Sequence, residues 1–131
     1  VLKHSMPGFD AERCELACAG RSWYADNGIL DISISEYKTD VALNAERIVL
    51  VSMLEEWGEV DNFSVDYLPA ETYVGFYEDD KYSSFALVST DKNYMVTIWT
   101  ISDIVEEEDF QLFIKFVTQI AKTQWEKINQ Q

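Results

Sequence analysis

Histidine is nearly absent from this chain of 131 residues: there is one, His4. A hydrolase triad or an imidazole general base needs a ring held in place by a second group. His4 falls in a terminal segment expected to fray, so no such role is expected of it. There are two cysteines, Cys14 and Cys18. On a strand, residues four apart share a face but stand about 13 Å from each other, beyond disulfide reach. On a helix they would be neighbours, yet a bridge so local would be strained. With His4 they are too few, and wrongly spaced, for a zinc site. Two small buried thiols are the expectation.

Glycine is scarce and dispersed. Gly8, Gly20, Gly28, Gly58 and Gly75 stand singly, whereas a phosphate cradle needs clustered glycines that let backbone amides approach the anion. Glu78-Asp79-Asp80 and Asp61-Asn62 lack the alternating ligands and closing glutamate of an EF-hand loop. The two prolines, Pro7 and Pro69, fall between expected elements, where a missing N–H costs no ladder bond. No apolar run approaches the ~20 residues that span a bilayer. No cofactor and no membrane insertion are therefore expected.

Positive charge is the last shortage. Ten Lys and Arg face 24 Asp and Glu, leaving a net charge of −14. Such a field repels nucleic-acid phosphates and anionic lipid, and attracts a basic protein, a basic peptide or a cation. Solubility alone is the plainer reading of the same charge.

What the chain does contain is apolar and aromatic material, 47% and 14% of residues, enough for the core of a single domain spanning residues 1–131. Met6-Pro7-Gly8 marks an early turn. Asp10 could cap a short helix ending at Gly20, but a strand from Arg13 to Tyr24 is preferred, because Asp26-Asn27-Gly28 then closes a tight hairpin. Leu30, Ile32 and Ile34 alternate with Asp31, Ser33 and Ser35, which predicts a half-buried strand with one wet face. Leu43 to Gly58 reads as a helix with Asn44 as N-cap and Leu43, Arg47, Leu50, Leu54 and Trp57 on one stripe beside Val51.

Phe63, Val65 and Tyr67 alternate as a further strand, followed by Thr72 to Glu78. Two alternating runs around Thr90-Asp91-Lys92-Asn93 predict a hairpin apolar on both sides, as strands near the middle of a sheet are. A closing helix runs from about Glu106 to Ile128, with Phe113, Val117, Ile120, Ala121 and Ile128 inward and Phe110, Ile114 and Trp125 widening the stripe. Glu106 to Asp109 suit its positive end, and Lys122 and Lys127 lie towards the other. The fold class is α+β: a largely antiparallel sheet flanked by two helices.

The order of Met6-Pro7-Gly8, the Asn27-Gly28 hairpin, Leu30-Asp31-Ile32-Ser33-Ile34, a helix, meandering strands ending in Tyr94-Met95-Val96-Thr97-Ile98 and a closing helix resembles the PsbP-like α/β/α sandwich. That superfamily is named after an extrinsic photosystem subunit and occurs in small bacterial lipoproteins. The resemblance implies a non-enzymatic adaptor, chaperone or other protein-binding role, and carries over no functional residue. The acidity and closing helix also look like a type III secretion chaperone, although those open with a helix.

Without anchored proton shuttles or convergent ligands, the expected function is contact rather than catalysis. Tyr and Trp suit the cores of contact surfaces. The candidate partner-binding residues are therefore Tyr73, Tyr77, Glu78, Asp79, Asp80 and Tyr82, and the expected partner is a protein, a basic one by charge. Two alternatives stand beside it. One is an acidic immunity-type inhibitor of a basic toxin, where complementary charge speeds association. The other is a small carboxylate-based hydrolase using two acids about 5–9 Å apart, though with 24 acids chance proximity is expected. A leader removed before Val1 would place the domain in the envelope or outside the cell, and a native start at Met6 in the cytosol.

Overall fold

The computed structural model describes residues 17–25, 28–78, 80–103 and 107–130. Met6-Pro7-Gly8, His4, Cys14, the Asp26-Asn27 turn, Asp79 and Glu106 lie outside them, as do the side chains of Cys18, Trp23, Tyr24 and residues 107–110.

Six strands and two helices follow one another as β1 (Ala17–Ala25), β2 (Gly28–Glu36), α1 (Asp40–Trp57), β3 (Glu59–Asn62), β4 (Glu71–Glu78), β5 (Tyr82–Asp91), β6 (Tyr94–Asp103) and α2 (Glu107–Asn129). The strands form one sheet in the order β1-β2-β6-β5-β4-β3, and every neighbouring pair is antiparallel. The α+β class and the antiparallel sheet with two helices are as expected from the sequence.

β5 and β6 lie at the centre. From Phe85 to Thr90 every residue is buried, because odd and even positions meet different layers. Phe85 and Leu87 pack with Val117, Ala121, Trp125 and Ile128 of α2. Ala86 and Val88 pack with Leu43, Leu50 and Leu54 of α1. Since successive strand residues point to opposite faces, the two helices cover opposite sides of the sheet. Phe85 meets Phe113 edge-on, with ring centroids 5.7 Å apart, a favoured geometry for aromatic pairs. The β5–β6 turn is Lys92-Asn93, with Lys92 at φ 55°.

A buried chain of hydrogen bonds ties α2 to the sheet. Trp125 Nε1 donates to Ser89 Oγ at 3.0 Å, and Ser89 and Thr72 share a bond of 2.8 Å. Thr72 Oγ1 donates to the Pro69 carbonyl at 2.7 Å, so Ser89 is the donor to Thr72.

Four expectations require correction. First, α1 begins at Asp40. Its N-cap is Thr39, whose Oγ1 accepts from the Ala42 amide at 3.1 Å, while Asn44 sits exposed inside the helix. The Thr39-Asp40 pair is a cap and first-turn acid immediately before the apolar run. Second, Glu46 rather than Arg47 is buried on the stripe of α1 along with Leu43, Leu50 and Leu54, and Arg47 is only partly covered.

Third, β3 is Glu59–Asn62, and Phe63 to Tyr67 is not a strand. Phe63 N still donates to the Thr72 carbonyl at 2.7 Å, but Leu68 N reaches back to Val65 O at 3.2 Å and turns the chain. Phe63 and Val65 point into the α2-side core without ladder partners, so their alternation reports burial rather than pairing. Fourth, β2 has no wet face. Asp31, Ser33 and Ser35 are buried while Leu30, Ile32 and Ile34 are only partly so. Alternation shows which residues share a face; it does not show which face is covered.

Gly28 is constrained by close packing. A Cβ there would lie 2.5 Å from the Ile101 carbonyl oxygen of β6.

Candidate functional site

The C-terminal turn of α1 meets the sheet where β4 and β5 present small residues beside Trp99 of β6. Gly75, Ser84 and Ala86 leave room above the backbone, and Leu54, Trp57 and Trp99 close over it. Trp57 and Trp99 are tilted against each other with centroids 6.1 Å apart. The crevice also touches Tyr77 and encloses about 10 Å³, roughly one water's worth. This is a notched surface, far below the ~300–1,000 Å³ of small-molecule pockets.

Tyr77 and Tyr82 extend this corner outward. Both point to the α1 side of the sheet: Tyr77 is opposite Ser84, and Tyr82 is opposite Asp103. They remain 43% and 49% exposed. Acids predominate at this end: Asp80 in the turn beside Lys81, Asp103 at the end of β6, and Glu55 and Glu56 in the last turn of α1, all exposed. The last turn of α1 carries no basic residue, so its negative dipole end adds to the same field.

The structure thus divides the predicted site. Tyr77, Asp80 and Tyr82 come together at the β4–β5 end. Glu78 points to the other face and accepts from Ser83 Oγ at 3.2 Å. Asp79 is outside the described residues. Tyr73 shares the face of Tyr77 but is committed elsewhere, donating to Glu71 Oε2 at 2.6 Å. That bond, with burial and the Glu71 charge added, raises its phenol pKa above the ordinary value. Glu71 also lies 3.5 Å from Arg47 Nη1. Sequence reasoning missed Trp57 and Trp99 as members of the site. Its only signal was Gly58 ending the helix beside Trp57, and nothing local brings Trp99 there.

A second polar feature lies on the same side of the sheet. Asp31 pairs in register with Trp99, and Ser33 with Thr97. Both Asp31 carboxylate oxygens, Ser33 Oγ, Thr97 Oγ1 and Trp99 Nε1 are buried with no hydrogen-bond partner among the described residues. Groups of this kind are rarely left so.

At the opposite end, an open groove of about 420 Å³ lies between the β5–β6 turn and the end of α2, lined by Asp91, Lys92, Tyr94, Trp125, Ile128 and Asn129. Asp91 is its one carboxylate. Tyr94 has a raised phenol pKa, chiefly from its hydrogen bond to Glu36. Among the described residues no group of three or more His, Cys, Asp or Glu converges as metal ligands, and no helix is long and apolar enough to cross a membrane. No known family model, curated protein or solved structure matches the chain.

Proposed function

We propose that this chain is a non-enzymatic protein-binding or adaptor module whose contact corner is Tyr77, Tyr82 and Trp57 within the acids Glu55, Glu56, Asp80 and Asp103. The observation that carries it is the pairing of two half-exposed tyrosines on one face with an uncompensated helix C-terminus. Rings of this type give a contact its anchoring area, and a rim in which four exposed acids outweigh Lys81 of the same turn favours a basic segment and speeds its approach. The layering of helices on both faces of the sheet supports the PsbP-like adaptor reading of the sequence. The immunity-type alternative rests on the same corner, with a basic toxin as the segment's owner. The hydrolase alternative has less support: the aromatic crevice admits about one water, and the larger groove offers one carboxylate where the chemistry uses two.

The test is affinity capture from source extract with the wild type and a Tyr77→Ala/Tyr82→Ala variant. Captured protein should be retained at low salt, where charge steering is strongest, and lost with the variant. Equal recovery on both baits would remove the corner from the interface.

A further inference from the structure

α1 is apolar on more than its inner side. Val41, Ile48 and Val49 are 79%, 59% and 45% exposed, and Ala45 and Ser52 lie exposed between them. At ~100° per residue, Val41, Ala45, Ile48 and Ser52 fall in one line with Val49 at its flank, a stripe roughly 16 Å long. Contiguous exposed apolar side chains mark contact sites, and this stripe has no neighbour among the described residues. Its charges are asymmetric. Glu55 and Glu56 close the C-terminal end, where no basic residue offsets the helix dipole. At the other end, Lys38 and Asp40 balance each other. Arg47, the only basic residue on α1, is turned towards Glu71.

We propose that this outer face of α1 is a docking surface for an amphipathic helix of a partner protein, bearing an apolar stripe and Lys or Arg at the end that meets Glu55 and Glu56. Ala45 and Ser52 let a second helix come close, and Ile48 is the central anchor between them. A second copy of this chain fits less well. Paired in parallel along α1, it would bring Glu55 and Glu56 against the same acids of the other copy; paired antiparallel, it would offer them only the balanced Lys38 and Asp40, and each copy carries −14. The inference rests on the protein-binding reading above but uses a different surface from the tyrosine corner.

The probe is a labelled synthetic helical peptide with leucines at i, i+3, i+4 and i+7 and lysines in its last turn, titrated by fluorescence anisotropy. The wild type should bind it, and Ile48→Ser should weaken binding about tenfold, as loss of a central anchor does. Replacing the peptide lysines by glutamates should weaken it to a similar degree. Tyr77→Ala/Tyr82→Ala should leave the affinity unchanged. Ile48 is solvent-facing, so the variant folds, and circular dichroism checks this. The proposal is overturned if the wild type ignores the peptide or if Ile48→Ser binds as well as the wild type. It also fails if only the tyrosine variant loses binding, or if the wild type sediments as a dimer that Ile48→Ser dissociates.

Discussion

Asp31 carries the most unusual chemistry of any single residue here. It is 2% exposed, and neither carboxylate oxygen has a hydrogen-bond partner among the described residues. A carboxyl group buried without hydrogen bonds is costly. Asp31→Val removes both oxygens at similar volume and suits a strand, so the variant should be more stable by about 1 kcal/mol or more. The measurement is the urea midpoint at constant slope. A loss of stability would show that the carboxylate has a cationic or donor partner, and would make the Asp31, Ser33 and Thr97 row a site in its own right. The row is invisible in the sequence because an acid alternating with isoleucines looks like ordinary solvent-facing strand. Tyr77 and Tyr82 were legible as neighbours of one turn because the polar run Glu78-Asp79-Asp80-Lys81 punctuates the chain between two alternating segments.

At the scale of elements, contact order decided what could be read. The hairpins and the two helices declare themselves through local period and punctuation, such as Thr39-Asp40, Gly58 and Lys92-Asn93. The order β1-β2-β6-β5-β4-β3 does not: it depends on β2 meeting β6 across about half of the chain. The meeting of Trp57 with Trp99 depends on that order too, so half of the aromatic corner was illegible locally. The same long-range character makes the Trp125–Ser89–Thr72 chain informative, since it joins α2, β5 and β4. Ser89→Ala would leave the buried indole N–H without an acceptor, at a cost of about 1–3 kcal/mol. Trp125→Phe should also destabilise. In Ser89→Ala/Trp125→Phe the orphaned donor is gone, so the double loss should fall short of the sum of the single losses. A double-mutant cycle on urea midpoints measures this, and strict additivity would mean that the bond contributes nothing.

For the whole molecule, charge is the dominant variable. The ion pairs of Arg47 with Glu71 at 3.5 Å and of Lys122 with Glu126 at 3.7 Å have half-exposed acids. Pairs of this kind contribute at most about 1 kcal/mol each. Against them stands the mutual repulsion of a net −14 confined to one small fold. Salt acts on both, but unequally. The Debye length shrinks from about 30 Å at 0.01 M to about 10 Å at 0.1 M. Repulsion summed across the molecule is therefore screened, while contacts under 4 Å are much less so. The stability of the isolated protein should rise as NaCl is increased over this range, seen as a higher thermal midpoint. The same addition should slow association with a basic partner while leaving the apolar part of a helix–helix contact intact. A midpoint that falls with salt would mean that attractive pairs outweigh the repulsion, and that the acidity is internally compensated rather than directed outward at a partner.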